Sequence, residues 1–253
     1  MKYFFFVALL IYSNLIHTRE IGQTEITADE GIEVFQKEKF YLLKENVKIV
    51  SDNFTLYGDT VKIYFEKDLY DVIKIDAWGN VKLNSEAYNI KGNGNYLTFH
   101  VNTEDLLIEG LNSKLITKDM EMFSDGKIKV NNLTGKFNLN GPNSRLNAEE
   151  ININAEDING LTSNQTGINE ILELSVFDKN LAYIKSENTD MYANNAVYDK
   201  GTSIIELESN VKIIRDGETV TGDYGTLNTE NQSYKVKSKN SKKVKVVLSN
   251  QDE

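Results

Sequence analysis

Asn46-Val47-Lys48-Ile49 opens a stretch that closes, twelve positions after the asparagine, on Gly58-Asp59. The same opening and interval return at Asn80-Val81-Lys82-Leu83 with Gly92-Asn93, and at Asn210-Val211-Lys212-Ile213 with Gly222-Asp223. Five positions past each glycine stands an apolar residue: Ile63, Leu97 or Leu227. A polar break separates asparagine from glycine in each copy: Ser51-Asp52-Asn53, Asn84-Ser85-Glu86, Arg215-Asp216-Gly217. Breakers held at one distance three times are an internal repeat. An Asx side chain bonding back to nearby backbone is expected to end the preceding strand. The residues after it alternate, so Val47 and Ile49 share one face and Lys48 takes the other. Asp216-Gly217 is the strongest hairpin signal in the chain, and the later glycine is expected to supply positive φ. The unit is predicted to be strand-turn-strand-turn-strand.

Outward from these copies, period-2 alternation continues. It runs through Val61, Ile63 and Phe65, through Leu97, Phe99 and Val101, through Ile128 and Val130, and through Val244, Val246 and Leu248. Helical spacing is not evident past the N-terminus. The pattern is weakest from Gly160 to Leu174, where Leu161 to Gly167 reads as a loop. Ile26-Thr27-Ala28-Asp29 is echoed by Met191-Tyr192-Ala193-Asn194, and small-plus-acid steps recur at Ser124-Asp125 and Ala148-Glu149. The chain is therefore expected to be all-β, with an export signal or short anchor at 1–18, a first repeat region at 19–118, and a second at 119–253 continuous with the first.

Of 253 residues, 40% are hydrophobic, enough for a sizeable core. The formal net charge of −10 argues against nucleic-acid binding, which depends on phosphate neutralisation. No cysteine is present, which excludes disulfides and thiolate chemistry. Lys2 precedes the apolar run Tyr3 to Tyr12, a length that suits a secretory signal rather than a span of about 20 residues. Only Ser13 and Thr18 offer small residues at its end, which keeps an uncleaved membrane anchor as the alternative.

Catalytic chemistry has little to stand on. His17 and His100 are the only histidines, and His100 between Phe99 and Val101 reads as a strand surface residue. Neither a Cys/His nor a Ser/His/Asp arrangement is available, and zinc-ligand spacing is missing. A carboxylate pair such as Asp76 and Glu86 is arbitrary without a cleft. Gly92-Asn93-Gly94-Asn95-Tyr96 reads as a turn rather than a phosphate loop. Trp78 is expected in the core, with lipid contact as its alternative. Lys235, Lys237, Lys239, Lys242, Lys243 and Lys245 make a basic C-terminal run. It reads first as protection of an edge strand, otherwise as a contact for lipid phosphates or an acidic neighbouring subunit. No enzyme, cofactor or metal is expected.

Together, Ile26 to Asp29, Asn46 to Val61, Gly79 to Leu83 and Ser209 to Asp223 resemble the LptA/OstA-like family, whose members carry lipopolysaccharide across the periplasm. The resemblance covers most of the chain after the signal and the middle section least. It implies an elongated, twisted antiparallel β-jelly roll (OstA-like), here with two tandem copies of the short-hairpin repeat, an apolar interior and no catalytic site. The lining expected to shelter lipid A acyl chains is Val47, Ile49, Val61, Ile63, Phe65, Ile73, Ile75, Val81, Leu83, Leu97, Phe99, Val211 and Ile213, with plain core packing as the competing reading for each. Implied partners are lipopolysaccharide, an inner-membrane transport complex with its ATPase, outer-membrane translocon proteins and further copies stacked end to end. The implied location is the periplasm, and an anchored LptC-like relative shares the fold. Two other readings stand beside it: an exported β-solenoid structural or surface protein, and a β-helix carbohydrate hydrolase with paired acids.

Overall fold

The computed structural model describes residues 23–67, 71–148, 151–163, 170–239 and 243–248; the signal read at 1–18, with His17, lies outside them. The first half comprises β1 (Glu25–Thr27), β2 (Gly31–Phe35), β3 (Phe40–Val50), β4 (Thr55–Phe65), β5 (Val72–Ser85), β6 (Ile90–His100), β7 (Asp105–Glu109), β8 (Ser113–Ile116) and β9 (Met120–Ser124). The second comprises β10 (Lys127–Asn131), β11 (Lys136–Ala148), β12 (Ile151–Ser163), β13 (Glu170–Ser186), β14 (Thr189–Asp199), β15 (Ile204–Arg215), β16 (Glu218–Asn228), β17 (Tyr234–Lys237) and β18 (Lys245–Leu248). The fold is all-β and antiparallel, and each long strand pairs with its sequence neighbours. Such a meander is not the parallel coil stacking of a solenoid or β-helix, so the folds behind both competing readings are replaced.

Short strands come in collinear pairs along one long neighbour: β1 and β2 on β3, β7 and β8 on β6, β9 and β10 beside β11 and β7, β17 and β18 on β16. Each pair is one strand bent in the middle. The long strands bend at the same level, where their register slips: between Lys44 and Val47, Trp78 and Val81, Asn140 and Ser144, Tyr192 and Asn195, and Glu208 and Val211. A bulge inserts residues on one strand and bends it. Bulges in line across a sheet make a crease with two leaves. Leaf A holds Ile49, Leu56 and Leu83, and leaf B holds Leu43, Val61 and Ala77. Apolar side chains from the two leaves join one buried cluster.

The crease corrects four expectations. Asn46, Asn80 and Asn210 do not end strands; they sit inside β3, β5 and β15 at φ +48°, +47° and +56°. Asparagine tolerates this left-handed region, and here it bends a strand that continues. Gly58, Gly92 and Gly222 keep ordinary φ inside β4, β6 and β16. At two of them the role is space: a Cβ on Gly92 would meet Ile108 at 2.9 Å and one on Gly222 would meet Val236 at 2.5 Å, whereas one on Gly58 would make only ordinary contacts. Gly92 to Tyr96 is accordingly strand, not turn, and the turn before it is Glu86 to Asn89, since Asn84 and Ser85 belong to β5. The expected loop also shrinks, because Leu161 to Ser163 extend β12 and β13 starts at Glu170; residues 164–169 lie outside the described set.

Trp78 is likewise not core. It lies on the outward face of β5, 39% exposed, with its ring 5.5 Å from that of Tyr96. The Asp216-Gly217 hairpin is as expected: both residues have positive φ between the paired ends Arg215 and Glu218.

Candidate functional site

Strand register converts the alternation into rows across the whole sheet. On leaf A one row passes through Ile26, Ile49, Leu56, Leu83, Gly92, Leu115, Met122, Leu146, Ile153, Ile184, Met191, Ile213, Val220 and Val246. On leaf B another passes through Leu43, Val61, Ala77, Leu97, Ile108, Ile128, Leu139, Ile158, Val176, Ala196 and Leu207. No polar side chain interrupts either. A third row, nearer the free ends of leaf B, runs from Tyr41 through Ile63, Ile75, Phe99, Leu106, Val130, Phe137, Gly160, Leu174 and Tyr198 to Ile205. Its members are partly open at Phe99, Leu106, Val130 and Tyr198.

The residues expected to line a groove all fall on or beside these rows. Val47, Ile49, Val61, Ile63, Ile75, Val81, Leu97, Val211 and Ile213 are buried members of the core cluster; Leu83 and Phe99 pack half-buried against it. Phe65 is buried at the end of β4, and Ile73 is half-buried in β5. The middle rows interlock closely: Leu43, Val61, Ile108, Leu139 and Ile158 have no exposed surface. Close packing of this kind leaves no channel between them.

Open space lies instead at the free ends of the leaves. A cleft of about 350 Å³ is lined by Ala148, Ile151 and Ser186 from the ends of leaf A and by Ile171, Tyr198 and Ile205 from the ends of leaf B. Asp119, Glu170, Glu187, Lys200 and Glu230 also line it. Its size lies at the lower end of the roughly 300–1,000 Å³ of small-molecule sites. This seam between the leaves was not foreseen. Its signal was the alternation at 151–163 and 170–176, which the polar residues around 164 hid.

A larger concavity, about 1110 Å³, belongs to the outside of leaf B. Alternation places its side chains: His100, Asp105, Lys129, Lys136, Asn138, Asn159, Ser175 and Val197 have the parity opposite to the buried row. Leu106, Val130, Phe137, Leu174 and Tyr198 of the third row also line it, so its walls mix apolar with charged and amide groups. His100 is exposed, as a strand surface residue should be.

The acids weighed for catalysis are not brought together. Glu86 is exposed in a turn, whereas Asp76 is 3% exposed on β5. Burial opposes ionisation of Asp76, but Lys74 Nζ at 2.8 Å and the Tyr96 hydroxyl at 3.1 Å donate to it and hold its carboxyl below the usual range. On leaf A, Tyr183 donates to Asp190 at 2.7 Å, which pushes the phenol up to about 12. Both groups are fixed in one protonation state at neutral pH. Among the described residues no cluster of His, Cys, Asp and Glu is placed to hold a metal ion, and no helix is long and apolar enough to cross a membrane.

No curated protein matches the chain. Among solved structures, LptH from Pseudomonas aeruginosa, described as the LptA homologous periplasmic component of the conserved lipopolysaccharide transport device, is similar at 10% identity. The match covers 90% of this chain and 95% of that one, with a TM-score of 0.22, too low to equate the two arrangements of strands. The family of the LptA/(LptD N-terminal domain) LPS transport protein matches residues 25–136, the stretch that carries β1 to the start of β11 and the first two repeat copies. Over this stretch the chain is similar to the LptA/LptD N-terminal domain family of LPS transport proteins.

Proposed function

We propose that the protein is a periplasmic lipopolysaccharide-transport component that receives lipid A acyl chains between its two leaves and passes them on, without catalysing a reaction. The observation that carries this reading is the pair of unbroken apolar rows on facing leaves, with a cleft at the seam where the leaves end. The closely packed rows cannot hold a hydrocarbon tail as they stand, so the seam is the place of entry. Tail atoms there would lie against Ile151, Ile171 and Ile205, which line the cleft from the two leaves. Each buried CH₂ contributes about 0.8 kcal/mol, so a few acyl chains offset a modest parting of the leaves. No nucleotide-binding motif is evident, and the driving energy is assigned to an ATPase partner at the inner membrane.

Delivery from one membrane to the other requires further subunits. β1 and β2 are bonded only to β3, and β17 and β18 only to β16, so each collinear pair presents an open edge among the described residues, one strand on each leaf. Asp29, Glu30 and Glu33 lie at the first edge, while Lys235, Lys237, Lys239, Lys243 and Lys245 lie at the last. Opposite charge favours head-to-tail strand addition, which would join the apolar rows of successive copies.

Photocrosslinking tests the reading. A benzophenone side chain at Ile171 or Ile205 is expected to label lipopolysaccharide in the periplasm, with weaker labelling from Ile63 and Ile213 deep in the core. Lack of lipid adducts at all four positions, in a protein that folds normally, would overturn it.

A further inference from the structure

The outward face of leaf A carries a second continuous row, unlike any other on the sheet. It runs Thr27, Lys48, Tyr57, Lys82, Asn93, Lys114, Phe123, Arg145, Asn154, Tyr183, Tyr192, Lys212, Thr221 and Lys245 by direct strand register. In a chain of net charge −10 the row holds no acidic residue. The cations stand on alternate strands β3, β5, β8 and β11, then on β15 and β18. With strands about 4.8 Å apart, cations on alternate strands are about 9.5 Å from one another, and Arg145 and Lys212, four strands apart, about 19 Å.

Aromatic rings fill many of the intervals and hold the cations in place. Lys48 Nζ lies 5.9 Å from the Tyr57 ring centre, the Arg145 guanidinium 4.7 Å from Phe123, and Lys212 Nζ 5.3 Å from Tyr192. Lys114 also meets Glu121 at 3.5 Å. The corresponding outward row of leaf B mixes signs, with Glu33, Lys62, Asp76, Lys129 and Glu206. A structural explanation through strand pairing alone predicts mixed signs on both leaves, because opposite charges across strands are the stabilising pairs.

Two further features narrow the ligand. Sheet twist of about 20–25° per strand turns the row through more than half a circle, so a flat membrane meets only a short part of it. The row also runs close to the seam: Tyr183 is three residues from Ser186, which lines the cleft, about 10 Å along the strand. Lys185 is exposed on the same face, between them in sequence.

We infer that this row is a binding track for the phosphate-bearing sugar headgroup of an amphiphile whose tails enter at the seam. The inference rests on the proposed lipid-transport reading and adds to it a separate electrostatic site on the outer surface. Tails would be held between the leaves, while the headgroup folds over the ends of leaf A onto Arg145 and Lys212. The remaining cations would give it successive positions along the sheet.

The test compares the full chain with a K82Q/R145Q/K212Q variant. These side chains point away from the core, so circular dichroism and the unfolding midpoint should stay unchanged. Binding is measured for lipopolysaccharide and for lipopolysaccharide dephosphorylated by acid or phosphatase. The native chain is expected to bind the phosphorylated form more tightly, with affinity falling as salt rises. The variant should lose about tenfold affinity or more for that form and keep its affinity for the dephosphorylated one. Equal affinity of native and variant proteins for the phosphorylated ligand would overturn the track and leave interior binding intact. Failure of the native chain to bind either ligand would overturn the transport reading as well. Equally tight, equally salt-dependent capture of a single-stranded oligonucleotide would make the row an unselective polyanion surface and also overturn the inference.

Discussion

Asn80 donates its side-chain amide to the carboxylate of Asp59 across 2.9 Å, from a backbone held at φ +47° inside a continuous strand. The same link recurs along the crease. Asn46 donates to Asp29 at 2.7 Å, Asn143 to Asp125 at 2.7 Å, and Asn210 to the Asn194 oxygen at 2.7 Å. At the far end the Lys239 backbone N–H donates to Asp223 at 2.8 Å. The repeat in the sequence is therefore one hinge used on successive strand pairs. A left-handed asparagine opens the bulge, and a small residue followed by Asp or Asn on the preceding segment receives it. The ladder fixes the angle between the leaves, and that angle decides whether the apolar rows face one another.

Substitution at this hinge should show both of its parts. Asn80→Ala is expected to cost about 2–3 kcal/mol, from the left-handed backbone and the lost hydrogen bond together. Asn80→Gly keeps the backbone free and should cost about 1 kcal/mol or less. Gly79→Ala should cost more than either, because Gly79 is also left-handed at φ +69° and a methyl there would overlap the Asp59 carboxylate. Urea unfolding midpoints at constant m-value provide the measurement. Equal midpoints for Asn80→Ala and Asn80→Gly would remove the backbone part of the argument.

The alternation was legible in the sequence because period 2 survives a bend: Val47 and Ile49, or Val211 and Ile213, keep one face through it. The bend was not legible. A left-handed asparagine inside a strand has the same local signature as one in a turn, and only pairing with the next strand distinguishes them. The matching of glycines was also shifted. Val47 faces Gly58 and Val211 faces Gly222, but Val81 faces Gly94 rather than Gly92, because the second hairpin is longer. The seam was out of reach for a different reason. Ile151, Ile171 and Ile205 meet only when a meander is folded along its crease, a relation that no spacing along the chain encodes.

Acid should weaken the protein through Asp76. Its carboxyl titrates below the ordinary value of about 3.9 in the folded chain, so its contribution is complete above that pH and is lost as pH falls through the lowered value. Asp76→Asn should cost about 1–3 kcal/mol at neutral pH, since Lys74 loses its buried partner. The variant's stability should then fall less steeply than that of the native protein below pH 4. Thermal unfolding between pH 2 and 7 tests both statements, and parallel acid limbs for the two proteins would reject the assignment.

Gly160 is a packing requirement. It stands in the outermost apolar row of leaf B, facing Phe137 across the β11–β12 pair, and the Phe137 ring occupies the place a Cβ would take. Gly160→Ala is expected to destabilise by about 1–3 kcal/mol through overpacking. Phe137→Leu in the same chain should recover part of that loss, since the ring is removed from the crowded position. A double-mutant cycle reads the coupling, and additive effects would show that the methyl clashes with something other than the ring.

Assembly should follow from the two open edges and from their difference in charge. Val34 is 51% exposed on β2 and Val246 is 51% exposed on β18, although each belongs by alternation to an inward apolar row. Both rows end on apolar side chains that no further strand covers. Joining the β1–β2 edge of one copy to the β17–β18 edge of the next, β1 against β18 and β2 against β17, would cover both and place acidic residues against basic ones. Unlike surfaces generate an open chain of copies rather than a closed dimer. Sedimentation at rising protein concentration should therefore show species that grow beyond a dimer, and growth should weaken as salt screens the charges. Val34→Lys brings like charge to the joint and should suppress growth without lowering the unfolding midpoint, because the position is already half exposed. Saturation at a dimer, or growth unaffected by Val34→Lys and by salt, would sink head-to-tail addition.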